Sequence, residues 1–140
     1  MKKIFTLLIL CLLFPAFSSA NESNDSWLYG CWEGADDSGL IGTLTLKPDG
    51  TVDLTIGGKS IRDKYANTNS TFVYKYDENQ SPAHLDVIRI TDGEEASKIP
   101  FIIKKIAHDE ILIRVLEDNT RAKDWNGTPN DTIKLKRKQD

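Results

Sequence analysis

Two arginines in strand-like segments are the side chains of this sequence that most suggest chemistry. Arg89 and Arg114 each lie between apolar neighbours. A guanidinium buried in such a setting needs a carboxylate of the protein or an anionic group of a ligand. If instead Ile111, Ile113 and Val115 form the buried face, Arg114 lies on the surface with its aliphatic stem against the protein. The sequence alone leaves both orientations open.

Three aromatic residues alternate along another strand-like segment. Phe72, Tyr74 and Tyr76 fall on one face of a strand, within a stretch rich in aromatic and β-branched residues. They either line a pocket or fill the core. Our candidate ligand-binding residues are therefore Phe72, Tyr74, Tyr76, Arg89 and Arg114.

Arrangements typical of catalytic or metal sites are missing from the sequence. His84 and His108 are separated by a predicted strand and turn, and neither has the cysteine or carboxylate spacing of a metal site. The serines lack the context of a nucleophile elbow. Gly57–Ser60 lacks the first glycine of a phosphate-binding loop. We expect no enzyme activity, no catalytic residue, no metal and no cofactor.

The N-terminus has the pattern of an export signal. Lys2 and Lys3 precede an apolar run, Ile4–Phe17, which is too short to be a stable membrane span and is followed by small residues up to Ala20. Lipid attachment at Cys11 is disfavoured because the apolar run continues beyond it. We predict cleavage after Ala20 and a periplasmic or secreted mature chain without an integral membrane segment.

Cleavage there would leave sixteen basic and twenty-one acidic residues, a net charge of −5. This charge argues against nucleic-acid binding, which depends on neutralising phosphates. Cys31 would be the only remaining cysteine, so an internal disulfide is excluded. The stability of the mature chain must therefore come from its apolar core.

Alternating apolar residues predict an all-β domain. We divide the chain into a signal peptide (1–20), a flexible polar lead (21–26) and one domain (27–140). Short turns and the need to satisfy strand edges favour an eight-stranded antiparallel up-and-down barrel, with a sandwich as the alternative. Lys59–Ser70 is predicted to be a loop in which Ile61 and Tyr65 could form a partial lid. The predicted strands are a segment starting at Trp27, then Leu40–Leu46, Val52–Ile56, Thr71–Asp77, His84–Thr91, Lys98–Ile106, Glu110–Leu116 and Thr132–Arg137.

Several short motifs resemble those of the bacterial lipocalin-like domain proteins of the calycin group. Gly30-Cys31-Trp32 is similar to the glycine-x-tryptophan signature of the first strand. Three further segments are similar to later strands and to an arginine-bearing loop of that family: Pro82–Val87, Ile106–Val115 and Arg121–Trp125 with the closing Ile133–Arg137. The T-D-Y type turn of classical lipocalins is absent.

The resemblance implies a lipocalin-like barrel closed at one end. In that family a basic residue of the last strand stacks on the first-strand Trp, and Arg137 is the matching residue here. Gly30, Trp32 and Arg137 would form a structural plug, with a small apolar or amphipathic ligand at the opposite end.

A second hypothesis is a protein-binding barrel of inhibitor or immunity type that acts on an exported enzyme. The chain also resembles bacterial metalloprotease inhibitors, whose N-terminal segment enters the enzyme, and residues 21–26 could take that part. The absent disulfide is a departure from those inhibitors. An enclosed apolar cavity of a few hundred Å³ would favour the first hypothesis, and a filled core would favour the second.

Overall fold

The structure is a computed structural model that describes residues 25–36, 38–127 and 131–139. The predicted signal peptide (1–20), Cys11 within it and most of the predicted lead (21–26) lie outside the described residues. Of the lead, Asp25 and Ser26 are described. Ser26 begins a short 3-10 turn, Ser26–Leu28, in which Leu28 is buried. The chain then enters the first strand at Gly30.

The described residues form an all-β domain, as predicted. Nine strands lie in one antiparallel sheet, and the one short helix, α1 (Ile61–Lys64), follows the fourth strand. Eight of the strands correspond to predicted strands, and the additional one is the two-residue β4. The strands are β1 (Gly30–Ala35), β2 (Ile41–Leu46), β3 (Val52–Ile56), β4 (Lys59–Ser60), β5 (Ser70–Asp77), β6 (Ala83–Thr91), β7 (Glu94–Ala107), β8 (Glu110–Arg114) and β9 (Thr132–Arg137).

The strand order is that of an up-and-down meander. Within β1–β4 and within β5–β9 each strand pairs with its neighbour along the chain, and β1 pairs with β9 through Trp32–Arg137 and Glu33–Lys136. The ends of β3 and β5 approach each other at a single bridge between Thr51 and Val73. The sheet is therefore a curled half-barrel of nine strands.

The prediction of a closed eight-stranded barrel was wrong, because the sheet has nine strands and stays open between β5 and the edge formed by β3 and β4. No continuous ladder joins β5 to β3 or β4 in the described part of the chain. The residues between Ile56 and Ser70 form β4, α1 and polar turns. Because this stretch forms turns and a helix, it supplies no strand long enough to join the two edge strands, β4 and β5. Helix α1 lies beside β3 and β5 instead.

The hairpin between β6 and β7 shows how a local turn extends a strand beyond its predicted limit. Asp92 and Gly93 both have positive φ, 52° and 83°, the signature of a two-residue turn whose twist matches the strands. Glu94 therefore pairs directly with Thr91. Strand β7 begins at Glu94, four residues before the predicted start at Lys98.

The inward faces of the strands form one apolar core. Trp32 and Leu85 are fully buried in it, and Phe72 is nearly so. Tyr74 and Tyr76 pack against the same core from β5. This arrangement uses the alternation that the sequence predicted for β5.

A second, smaller apolar layer lies on the outer face of the sheet. Ile88 and Ile102 point away from the main core and are buried, as is Ala122. Residues 116–127, which we call the outer loop, lie against this face through Arg121 and Ala122. Arg121 of the outer loop binds the Asp86 carboxylate at 2.6 Å and donates to the Phe101 carbonyl at 2.9 Å.

Candidate ligand-binding cavity

One end of the half-barrel is closed around Trp32. Its indole ring is fully buried, and its Nε1–H donates to the Leu28 carbonyl at 2.9 Å. The Arg137 guanidinium lies over the ring, with its central carbon 4.2 Å from the ring centroid. This cation–π contact is the one that the resemblance implies.

The remaining donors of Arg137 also have partners within the chain. Nη1 and Nη2 donate to the carbonyls of Tyr29 and Trp27, each at 2.6 Å, and Nε donates to the Asp109 carboxylate at 3.1 Å. Gly30 permits this approach: its φ is 127°, and a Cβ there would lie 2.8 Å from Nη1. The polar groups of this end therefore have partners inside the chain, and the guanidinium occupies the space above the ring.

The opposite end of the half-barrel contains an apolar cavity of about 300 Å³. It begins above Leu44 and Leu135 of the core and extends to the open ends of the strands. Asp36 and Thr43 are the polar side chains in the described lining. The other lining residues are Gly34, Leu40, Gly42, Leu54, Ile56, Ile99, Phe101, Ile113, Val115 and Ile133.

Helix α1 lies at the mouth of this cavity and separates two further spaces. One is a wide space of about 750 Å³ that shares Leu54 and Ile56 with the cavity. The other, which we call the mouth recess, has a volume of about 200 Å³ and is lined by Tyr65, Phe72 and Arg89 among others. Ile99 borders all three spaces. The mouth recess and the cavity therefore adjoin.

The five candidate residues do not lie together. Phe72 and Arg89 line the mouth recess. Tyr74 and Tyr76 lie further along β5, toward the closed end, where the Tyr74 hydroxyl donates to the Lys47 carbonyl at 2.8 Å. Burial raises the pKa of Tyr74 to about 12. Tyr76 packs edge-on against Trp27, and burial raises its pKa as well.

Arg114 lies on the outer face of β8, opposite Ile111 and Ile113 of the core. It is only 6% exposed. Asp124 pairs with its Nη1 at 3.2 Å and Asp131 with its Nη2 at 3.5 Å. Its charge is therefore met by carboxylates of the protein, away from the cavity.

Sequence reasoning missed most of the cavity lining. Leu54, Ile99 and Ile113 were assigned to strands but not to a site. In β7 both faces are apolar, since Ile102 is buried on the outer face and Phe101 on the inner face. A pattern of alternation therefore could not distinguish cavity from outer layer. Ile61 and Tyr65, proposed as a partial lid, do line the spaces at the mouth.

Comparisons with known proteins found no match: no family model matches the chain, and no curated protein or solved structure is significantly similar to it. Within the described residues, no helix has the length and apolar character needed to cross a membrane. The same part of the chain contains no cluster of three or more His, Cys, Asp or Glu side chains arranged to hold a metal ion.

Proposed function

We propose that this chain is an exported, non-catalytic, lipocalin-like half-barrel that binds a small apolar or amphipathic molecule in the apolar cavity. The observation that supports this proposal is the cavity of about 300 Å³ at the end opposite Trp32. Such a volume lies at the lower end of the range for small-molecule sites. Its lining of Leu, Ile, Val and Phe side chains suits a hydrocarbon chain or a small ring system.

Two further observations support the family and the compartment in this proposal. The stacking of Arg137 on Trp32 at 4.2 Å agrees with the plug of lipocalin-like barrels. The basic start and apolar run of the first twenty residues support export to the periplasm or the exterior. N-terminal sequencing of the mature protein from its host tests the second point, with Asn21 expected as the first residue.

Ligand binding is tested with a neutral apolar dye. N-phenyl-naphthylamine is expected to fluoresce when the purified protein is added, and decanol is expected to displace it. Because each buried methylene contributes about 0.8 kcal/mol, decanol should compete roughly fifteen-fold better than octanol. A folded protein that binds neither the dye nor decanol contradicts the proposal.

A cavity-filling variant locates the binding site. Leu54 borders both the cavity and the wide space at the mouth, so Leu54→Trp is expected to occupy volume that the dye needs. The dye affinity should fall at least about ten-fold, the equivalent of roughly 1.4 kcal/mol. Ile106→Trp is the matched control, because Ile106 is 41% exposed and follows Lys105, whose ammonium lies over the Trp27 ring near the closed end. If the two substitutions lowered the dye affinity equally, the dye would bind outside the cavity.

A specific observation also favours the second candidate function, a protein-binding barrel of inhibitor or immunity type. Leu40 and Ile56 are 46% and 53% exposed and line the cavity at its open end, and Ile41, which follows Leu40 in the chain, is 56% exposed on the outer side of β2. Exposed apolar groups of this kind are typical of interaction sites. If the dye does not bind, co-purification with an exported enzyme from the host tests this candidate. Loss of that enzyme on Ile41→Ser would support it.

A further inference from the structure

Arg89 is placed differently from the other arginines of the chain. The chain has five arginines, and four of them pair with carboxylates. Within the described residues, Arg89 forms no ion pair. Its Nε donates to the Ser97 hydroxyl at 3.2 Å, and its Nη1 donates to the Thr91 hydroxyl at 2.9 Å. The four paired arginines are Arg62, Arg114, Arg121 and Arg137.

The position of Arg89 is fixed on the inward side of β6. It alternates with Leu85 and Val87, which face the core, and it lies opposite Phe72 of β5. The guanidinium carbon lies 4.2 Å from the centroid of the Tyr65 ring. The ring and two hydroxyls thus orient the guanidinium at the mouth recess while leaving its charge without a counterion among the described residues.

The surroundings of Arg89 add positive charge. Lys64 also lines the mouth recess, and no Asp or Glu belongs to its described lining. Lys64 Nζ lies 5.5 Å from the Tyr65 ring centroid, on the same aromatic side chain as Arg89. Two basic groups therefore converge on one aromatic ring in a chain whose net charge is −3. Such a local excess attracts an anion.

The basic mouth recess adjoins the apolar cavity at Ile99. A molecule that uses both spaces must have an apolar chain and a negatively charged head. We infer that the ligand is a single-chain anionic amphiphile, with its chain in the cavity and its carboxylate, or a similar monoanionic head, at Arg89. This inference rests on the proposed function and specifies its ligand class.

The preference for an anionic amphiphile has a physical basis in the two environments that meet at Ile99, the apolar cavity and the hydrated mouth recess. The chain gains free energy by leaving water for an apolar lining. The head remains at the half-buried mouth, where a charge-assisted hydrogen bond to a guanidinium is strong and the cost of desolvation is limited. A cationic head would meet Lys64 and Arg89 and be repelled.

Three probes with the same chain length test the head-group preference. Decanoate, decanol and decyltrimethylammonium are titrated against the bound N-phenyl-naphthylamine dye at low salt. Decanoate is expected to compete about ten-fold better than decanol, in line with one hydrogen bond to a charged group. Decyltrimethylammonium is expected to compete worst. Acetate, which has the head without the chain, is expected not to compete.

Variants at two arginines assign the preference to Arg89. Arg89→Gln is expected to reduce the decanoate-to-decanol preference from about ten-fold to about two-fold or less, and Arg89→Lys is expected to restore most of it. Arg62→Gln is the matched control. It removes the same charge near the mouth, but Arg62 already pairs with Asp53 at 3.6 Å. Added salt should weaken decanoate competition in the wild type and leave decanol competition unchanged.

The outcomes separate this inference from the proposed function. If decanol and decanoate compete equally, or if Arg89→Gln leaves their ratio unchanged, the anionic head is wrong while the apolar ligand site stands. If neither competes and the dye does not bind, the proposed function fails as well. Acetate competition at the concentrations used for decanoate would indicate a simple anion site and overturn the amphiphile.

Discussion

The two ends of the half-barrel use an arginine and an aromatic ring in opposite ways. At the closed end, Arg137 stacks on Trp32 and has partners for its donors in two carbonyls and one carboxylate. At the open end, Arg89 stacks on Tyr65 at the same distance of 4.2 Å, but it has only hydroxyl partners. The first arrangement is complete within the chain, and the second leaves a charge available to a ligand.

This difference separates a structural contact from a binding contact. A cation–π pair alone does not indicate function, since both ends have one. The distinguishing features are the counterion and the neighbouring space. Arg137 pairs with Asp109 and borders a surface depression lined by Lys136 and Lys138 among others, whereas Arg89 has no counterion among the described residues and adjoins a recess and an apolar cavity. The comparison predicts that substitutions at the closed end reduce stability and that substitutions at the open end reduce binding.

The largest expected effect on stability is that of Trp32→Ala. The fully buried indole fills the closed end, so its truncation should lower the free energy of unfolding by about 3–5 kcal/mol, measured by urea denaturation. Trp125→Ala is the control, because Trp125 is half-buried at the outer loop and contacts Lys104. It should cost about 1 kcal/mol or less. Similar losses for both would contradict the assignment of Trp32 as the plug.

Arg137→Ala is the next largest expected effect. It removes the cation–π contact and leaves the carbonyls of Trp27 and Tyr29 without these donors, so we expect a loss of about 2–3 kcal/mol. Lys136→Ala, on the neighbouring exposed position, should cost no more than about 0.5 kcal/mol. An unchanged urea midpoint for Arg137→Ala would show that stacking does not stabilise the closed end.

Arg89→Gln sharpens the same comparison. This substitution should change the free energy of unfolding by less than about 1 kcal/mol, because only two hydroxyl hydrogen bonds and an accessible ring contact are lost. A loss as large as that of Arg137→Ala would mean that both ends are structural.

The last expected effect is a dependence of stability on alkaline pH. Burial raises the pKa of Tyr74 from its ordinary value of 10.0 to about 12, so the neutral phenol is favoured in the folded state. The stability from this group is fully present below pH 10 and is lost as the pH rises toward 12. Relative to Tyr74→Phe, the wild type should therefore lose stability only across that interval. A difference that is constant from pH 8 to pH 12 would contradict the shift.

The sequence predicted the strands well because alternation is a local property. The segment Val52–Ile56 was placed with the bounds that the structure gives to β3. The inward face of β5 was also correctly grouped, since Phe72, Tyr74 and Tyr76 share the core side. Sheet closure was not predictable in this way, because it depends on whether β5 meets β3 or β4. A two-residue strand and a four-residue helix between them decided it.

The candidate site was predicted only in part, and Arg89 and Arg114 explain why. Both have apolar neighbours, so the strand pattern led to the same expectation for both. The tertiary structure placed Arg114 on the outer face beside Asp124 and Asp131, which are ten and seventeen residues away in the chain. It placed Arg89 at the mouth recess without a carboxylate partner among the described residues. Counterions that are remote in sequence cannot be recognised from a strand pattern.

By itself the sequence determined the strand positions, the all-β class and the meander, because short turns and period-two alternation act over a few residues. Only the tertiary structure decided that the sheet stays open, that a cavity lies opposite Trp32 and that Arg89 adjoins it. These features arise where distant strands meet, and they depend on the volumes and charges that the curled sheet brings together.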